Sequence, residues 1–265
     1  MVFVVLPAKL SWNQQPLPGP EQVTRFTQPF RIWVVDNFLT EGFARELAAS
    51  WPSQDDSAWH SGHTNVRGKK NPLEQGMRGI SNTDSMPINI AKIVKSFHTN
   101  EFCAWVERLT GLTGLLPDRS MRWTGMREML PGSFQLIHSD ARVSPESGLR
   151  KEVTVLFYLQ MDYRAEKNSG DLEIWDDQMD ECRLSIAPHF NRCVMFENSD
   201  TSFHGVPSVD FNRRALTFSL LSKVRNEGAR SKALFVGRPS DPSLITQMGL
   251  QRAAMPDSPK WKAKV

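Results

Sequence analysis

Phe134-Gln135-Leu136-Ile137-His138-Ser139-Asp140 follows the turn signal Pro131-Gly132 and reads as an extended strand that ends on polar residues. Working outward, the chain keeps the same texture on both sides. Short strands are predicted near 121–129, 133–138, 151–160, 171–176, 182–187, 192–197, 202–206 and 213–222. Turn signals separate them at Pro131-Gly132, Asn168-Ser169-Gly170, Asn198-Ser199-Asp200 and Asp210-Phe211-Asn212. Many short strands at close spacing argue for a sandwich or closed barrel and against a parallel βαβ sheet.

The first 120 residues differ. Residues 7–29 are proline-rich and predict an irregular arm, followed by a strand over 30–35. Thr40 is placed to cap a helix over 41–50, where Leu39, Phe43 and Leu47 recur at helical spacing before Pro52. Residues 52–85 are polar, carry glycines and show no steady period, which predicts a functional loop or lid. Two further helices are expected over 87–98, with Ile90, Ile93, Val94 and Phe97 on one face, and over 101–110, capped by Asn100 and ended by Gly111. These helices should cover the outer face of one sheet. The expected organisation is a mainly β single domain over 1–265 with flanking helices. It comprises an arm, helices and lid over 1–120, a β core over 121–222, and an irregular tail over 223–265 with one short helix near 241–253.

Composition excludes several classes. With 40% hydrophobic and 23% charged residues, the chain is of the ordinary folding kind and not a disordered or collagen-like one. A net charge of +3 is too mild to imply a nucleic-acid partner. The basic clusters at Arg67, Lys69 and Lys70 and at Lys260, Lys262 and Lys264 are modest, and the one aromatic between them, Trp261 in the second, falls short of the repeated aromatics of a single-strand binding face. Cys103, Cys182 and Cys193 form no CxxC and leave one over, which argues against a disulfide scaffold or zinc cage. Met1–Leu6 is shorter than a signal-peptide core, and no apolar run is long enough to span a bilayer. The expectation is a cytoplasmic protein, monomer or homodimer, with neither a nucleic-acid nor a membrane partner.

Side chains two apart on an extended chain share a face, so His138 and Asp140 can converge on one point. His204, in Ser202-Phe203-His204-Gly205-Val206-Pro207, is a third candidate ligand on a separate strand. Two imidazoles and a carboxylate can occupy one face of an octahedral ion and leave the others open, as non-haem Fe(II) in an oxygenase requires. His-x-Asp alone is a common pattern, and the later segments give it weight. Nine residues after His204, a strand over 213–222 puts Arg213, Ala215, Thr217 and Ser219 on one face and Arg214, Leu216, Phe218 and Leu220 on the other. An arginine on the polar face can hold a carboxylate by a bidentate pair. As an alternative, the two arginines are exposed edge charges.

Six segments in order carry a resemblance: His138-Ser139-Asp140, Val155–Gln160, Ser169–Trp175, Asn191–Phe196, Phe203–Pro207 and Arg213–Thr217. Together they resemble the Fe(II)/2-oxoglutarate-dependent dioxygenases, and most closely their prolyl-4-hydroxylase-like branch. The resemblance covers about 120–222, the double-stranded β-helix (jelly-roll, cupin-like) core. Pro29–Leu39 also resembles the strand and helix that open such proteins. It implies that His138, Asp140 and His204 are metal ligands and catalytic, with Fe(II), 2-oxoglutarate and O2 as cofactors and ascorbate as an additional candidate. It further implies that Arg213 pairs with the distal carboxylate of 2-oxoglutarate and that Tyr158 hydrogen-bonds the same group. Ala215 stands where a Ser or Thr often assists, which leaves Arg214 as an alternative anchor.

The carboxylate at Asp140, where related halogenases have Gly or Ala, argues for hydroxylation or another oxygenative outcome. The leading expectation is a hydroxylase of a small molecule (amino acid, sugar or natural-product intermediate) that releases succinate and CO2. A peptide or prolyl-type hydroxylase is the alternative, and a non-catalytic metal- or ligand-binding β-helix module is the alternative of another class. The substrate can be anionic, met by basic residues of the 52–85 segment or of the Asp140–Lys151 loop, where Arg142, Arg150 and Lys151 lie. Arg142, Trp123, Arg127 and Trp175 are candidate substrate contacts. His189 is read as part of a turn, and His60 and His63 as part of the polar loop.

Overall fold

The computed structural model describes residues 16–61, 74–121, 123–223 and 230–238. Its strands are antiparallel, in the order β1 (Val23–Phe26), β2 (Ile32–Val35), β10 (Cys193–Glu197), β7 (Arg150–Tyr158), β12 (Arg213–Ser222), β6 (Gly125–Ser139), β11 (His204–Val206), β8 (Leu172–Trp175), β9 (Cys182–Ile186). β3 (His60–Ser61), β4 (Glu74–Ile80), β5 (Leu116–Pro117) and β13 (Leu234–Val236) pair off this path. The sheet curls into a half-barrel consistent with a jelly-roll core.

Period-2 side-chain alternation gives the curled sheet two different faces. Val153, Val155, Phe157, Met195, Leu216, Phe218 and Leu220 face outward into a large apolar cluster. The helices α1 (Glu41–Ala49), α2 (Ile88–Phe97) and α3 (Asn100–Thr110) cover that face, burying Leu47, Ile90, Ile93, Val94 and Phe97 as their spacing predicts. Phe97 packs on Phe102 and Phe218, with ring centroids 4.7 and 4.5 Å apart. The concave face carries Tyr158, Ile174, Val194, Phe196 and Ala215.

Several boundaries differ from the expectations. The strands expected at 121–129 and 133–138 are one strand, β6, which runs through Pro131-Gly132. That dipeptide bends β6 instead of reversing it. Gly132 has φ 84°, and residues 130–133 bulge against the single residue Gly76 of β4, itself at φ 74°. Val209 supplies the outside partner, accepting from Gly132 N–H and donating to Ser133 O. Before the bend β6 pairs with β12, and after it with β11 and β13.

Part of the predicted 52–85 loop is strand β4, held against β6 by the buried Glu128, which pairs with both Arg78 and Arg214. Its mixed polar sequence hides the strand because its stability comes from backbone pairing and an ion pair, and not from an apolar face. Part of the proline-rich arm, β1, pairs with β2. The cap of α3 is Thr99, whose hydroxyl accepts from Phe102 N–H at 3.2 Å, and not Asn100; Gly111 ends the helix at φ 73° as expected. Within the expected irregular tail, β13 pairs with β6 next to His138. The predicted helix near 241–253, the apolar N-terminal run, His63 and the Arg67–Lys70 cluster lie outside the described residues. Cys103, Cys182 and Cys193 are all free thiols. Among the described residues no helix is long and apolar enough to cross a membrane.

Candidate metal centre

His138 and His204 are direct cross-strand partners on β6 and β11, so antiparallel pairing alone puts both imidazoles on one face. Their ring centroids lie 4.2 Å apart. Asp140 follows β6 two residues after His138, and its Oδ1 lies 3.6 Å from His138 Nε2. One ligand atom from each of His138, Asp140 and His204 falls within 4.8 Å of the others.

The rings are oriented for the task. Nδ1 of His138 is 3.0 Å from Leu136 O, and Nδ1 of His204 is 2.9 Å from Ser202 O. A proton on each Nδ1 donated to these carbonyls leaves the Nε2 lone pairs free, which is the arrangement metal-bound histidines use. Phe235 of β13 stacks on His138 at 4.9 Å and Phe196 packs on His204 at 4.6 Å, so the rings cannot swing away. Burial pushes the His204 pKa down to about 3, keeping that imidazole neutral. Two imidazoles and a carboxylate, on one side of a cavity, form a donor set suited to Fe(II) with open positions for other ligands.

The outer oxygen of Asp140 is fully engaged. Lys151 Nζ donates to Oδ2 at 2.6 Å and the Thr154 hydroxyl at 3.2 Å. The Asn198 amide, oriented with its oxygen on Thr154 N–H at 2.9 Å, puts its nitrogen 3.2 Å from the same oxygen. Burial by itself would raise the Asp140 pKa, but the Lys151 ammonium beside it overrides this and holds the carboxyl well below the usual range. The Asp140 carboxylate is thus charged and held in place by protein groups alone.

A cavity of about 150 Å³ is lined by this triad and by Arg213. Arg213, Ala215, Thr217 and Ser219 all line it, as one face of β12, while Leu216, Phe218 and Leu220 join the outer apolar cluster. Arg213 is 6% exposed; its Nε donates to Gly170 O at 2.9 Å and its Nη2 to the Tyr158 hydroxyl at 2.8 Å. Tyr158 is fully buried, and burial raises its pKa, so it meets Arg213 as a neutral phenol.

Residues 124–220 match the sequence profile of the 2OG-Fe(II) oxygenase superfamily. They form a 2OG-Fe(II) oxygenase domain. The fold resembles a prolyl hydroxylase from Trichoplax adhaerens, solved with a hypoxia-inducible-factor peptide fragment, at TM-score 0.55 and 15% identity over 72% of this chain and 84% of that one. It also resembles a Pseudomonas putida prolyl-4-hydroxylase, at TM-score 0.53 and 14% identity over 72% of this chain and 92% of that one. No curated protein sequence matches the chain. The domain is that of a 2-oxoglutarate-dependent dioxygenase using Fe(II), 2-oxoglutarate and O2.

Within the oxygenase domain the other candidate residues divide. Trp123 and Arg127 line the cavity. Arg214 does not; its Nε donates to Glu128 at 2.8 Å and its guanidinium lies over Trp51. Trp175 packs with Ile137, Met179 and Phe203 in a separate apolar cluster, and Arg142 pairs with Asp200 at 3.8 Å, both away from the cavity lining. His189 is exposed against Tyr163, and His60 is exposed on β3. Thr154, Asn198 and Phe235 were not anticipated. Lys151 was anticipated only as a loop charge, whereas it lies on β7 at 4% exposure.

Proposed function

We propose that the protein is an Fe(II)- and 2-oxoglutarate-dependent hydroxylase of a small molecule, acting as a single domain. The observation that carries this reading is the meeting of two imidazoles and a fixed carboxylate at one cavity that also holds a buried arginine. In this reading His138, Asp140 and His204 hold the iron. Arg213, aimed by Gly170 O and the Tyr158 hydroxyl, takes the distal carboxylate of 2-oxoglutarate through charge-assisted hydrogen bonds. When bound, iron, 2-oxoglutarate and O2 together supply the oxidant that breaks an unactivated C–H bond, with succinate and CO2 released. The protein orients: β12 presents Arg213, Lys151 and Thr154 hold Asp140, and Leu156, Leu172 and Phe196 provide an apolar wall that limits water.

Met77 of β4 contributes to the cavity wall, which supports a walled pocket over the open groove that a peptide substrate needs. The intact triad speaks against a purely binding role. Three free thiols, two of them buried, agree with a reducing cytoplasm. The decisive experiment is aerobic incubation with Fe(II) and 2-oxoglutarate. Succinate is expected at a slow basal rate and is lost together with bound iron in His138→Ala. Wild-type protein that retains no iron and forms no succinate refutes the proposal.

A further inference from the structure

The alternation of β7 should turn residue 152 toward the cavity, in phase with Thr154 and Leu156. It does not, because the register slips. Leu220 of β12 faces Val153 while its neighbour Leu221 faces Lys151, leaving Glu152 as an extra residue. Such a bulge re-aims the side chains beside it. It is fastened in place: Glu152 takes Arg150 Nε at 2.7 Å and the Ser222 hydroxyl, and its carbonyl accepts from Asn198 N–H at 2.8 Å. The result is Lys151 lining the cavity.

A buried ammonium at that position has a steep desolvation cost, and one hydrogen bond does not use its capacity. Of its three N–H donors, one goes to Asp140 Oδ2, and the Trp123 ring lies 5.2 Å from Nζ. Two donors have no hydrogen-bond acceptor among the described residues. The charge of the wall points the same way. Among the described residues, Lys151, Arg127 and Arg213 line the cavity against the single carboxylate of Asp140. A divalent metal and the 2-oxoglutarate dianion cancel each other, so loading both leaves the cavity cationic.

We propose that Lys151, turned inward by the bulge at Glu152, selects an acidic small-molecule substrate by receiving its carboxylate beside the indole of Trp123. This rests on the reading of the cavity as a 2-oxoglutarate oxygenase site. Because Nζ touches the outer oxygen of Asp140 itself, the docked carboxylate and the oxidised carbon are separated by only a few bonds. The substrate is therefore a short acid oxidised close to its charged group.

The test uses the full chain loaded with Zn(II) and saturating 2-oxoglutarate, in which turnover is blocked and acids cannot occupy the co-substrate position. Short aliphatic and amino carboxylic acids, each paired with its primary amide, are screened by saturation-transfer NMR and titrated. At least one acid is expected to bind more than tenfold tighter than its amide. Lys151→Met is expected to reduce that preference to under twofold, and Lys151→Arg to keep it, each variant being titrated at zinc and 2-oxoglutarate concentrations that saturate it because Asp140 loses its ammonium partner in Lys151→Met. Amides binding as well as acids, no acid binding, or an unchanged preference in Lys151→Met overturns the proposal. So does an equal loss of acid and amide binding in zinc-saturated Lys151→Met, which would make the lysine only a tether for Asp140. Wild-type protein that binds neither zinc nor 2-oxoglutarate refutes the oxygenase reading itself, and that result is read separately in the same samples.

Discussion

Arg213 and Arg214 are chemically identical neighbours with opposite surroundings. Arg213 is buried in the cavity wall with Tyr158, and Arg214 reaches the other face of β12 to pair with Glu128. Hydrogen bonds to charged groups are worth about 1.5–3 kcal/mol, so Arg213→Ala should weaken 2-oxoglutarate binding about 10- to 100-fold by equilibrium titration. Tyr158→Phe removes one orienting hydrogen bond, and about fivefold is expected. Arg214→Ala should leave 2-oxoglutarate affinity unchanged and lower the denaturation midpoint, because the fully buried Glu128 keeps only Arg78. If Arg214→Ala is the variant that loses affinity, the face assignment is wrong. Strand alternation made this choice legible in the sequence, because no bulge interrupts 213–219. The same rule failed at Lys151, where the inserted Glu152 shifts the phase.

At the scale of elements, the three helices were legible because their apolar positions recur at 3–4 residue spacing and all face one sheet. The strands β1, β4 and β13 were not. β4 is polar, and β1 and β13 are three or four residues long, too short for any period to register. Their stability comes from pairing with β2 or β6, a property of the partner strand. The helix-to-sheet contact makes a direct prediction. Phe97 is 1% exposed between Phe102 and Phe218, so Phe97→Ala should cost about 3–5 kcal/mol in chemical denaturation. Iron binding by the surviving folded protein should be unaltered, since α2 covers the face opposite the cavity. A variant that keeps full stability would show that this cluster is not a tight part of the core.

At the scale of the molecule, the bend at Pro131-Gly132 takes β6 from β12 to β11 and β13, and so puts His138 opposite His204 and under Phe235. The site thus joins segments nearly 100 residues apart, and the unfolded chain cannot assemble it. A ligand that binds only the folded state stabilises it by mass action. Fe(II) or an inert divalent substitute at about 100 times its Kd should therefore add about 2.7 kcal/mol and raise the anaerobic Tm by several degrees. His138→Ala should abolish the shift. A shift that persists in that variant would place the metal elsewhere.

The amino-acid sequence by itself determined the class of architecture, the helices, the ligand candidates and the face of Arg213. All of these follow from local periodicity or from side-chain chemistry at short spacing. Only the tertiary structure decided that His138 and His204 sit directly opposite each other, that Phe235 clamps one ring, and that Lys151 and not Glu152 lines the cavity. The physical reason is that strand register and bulges are settled by pairing between distant segments, and a slip of one residue reverses which side chain faces inward.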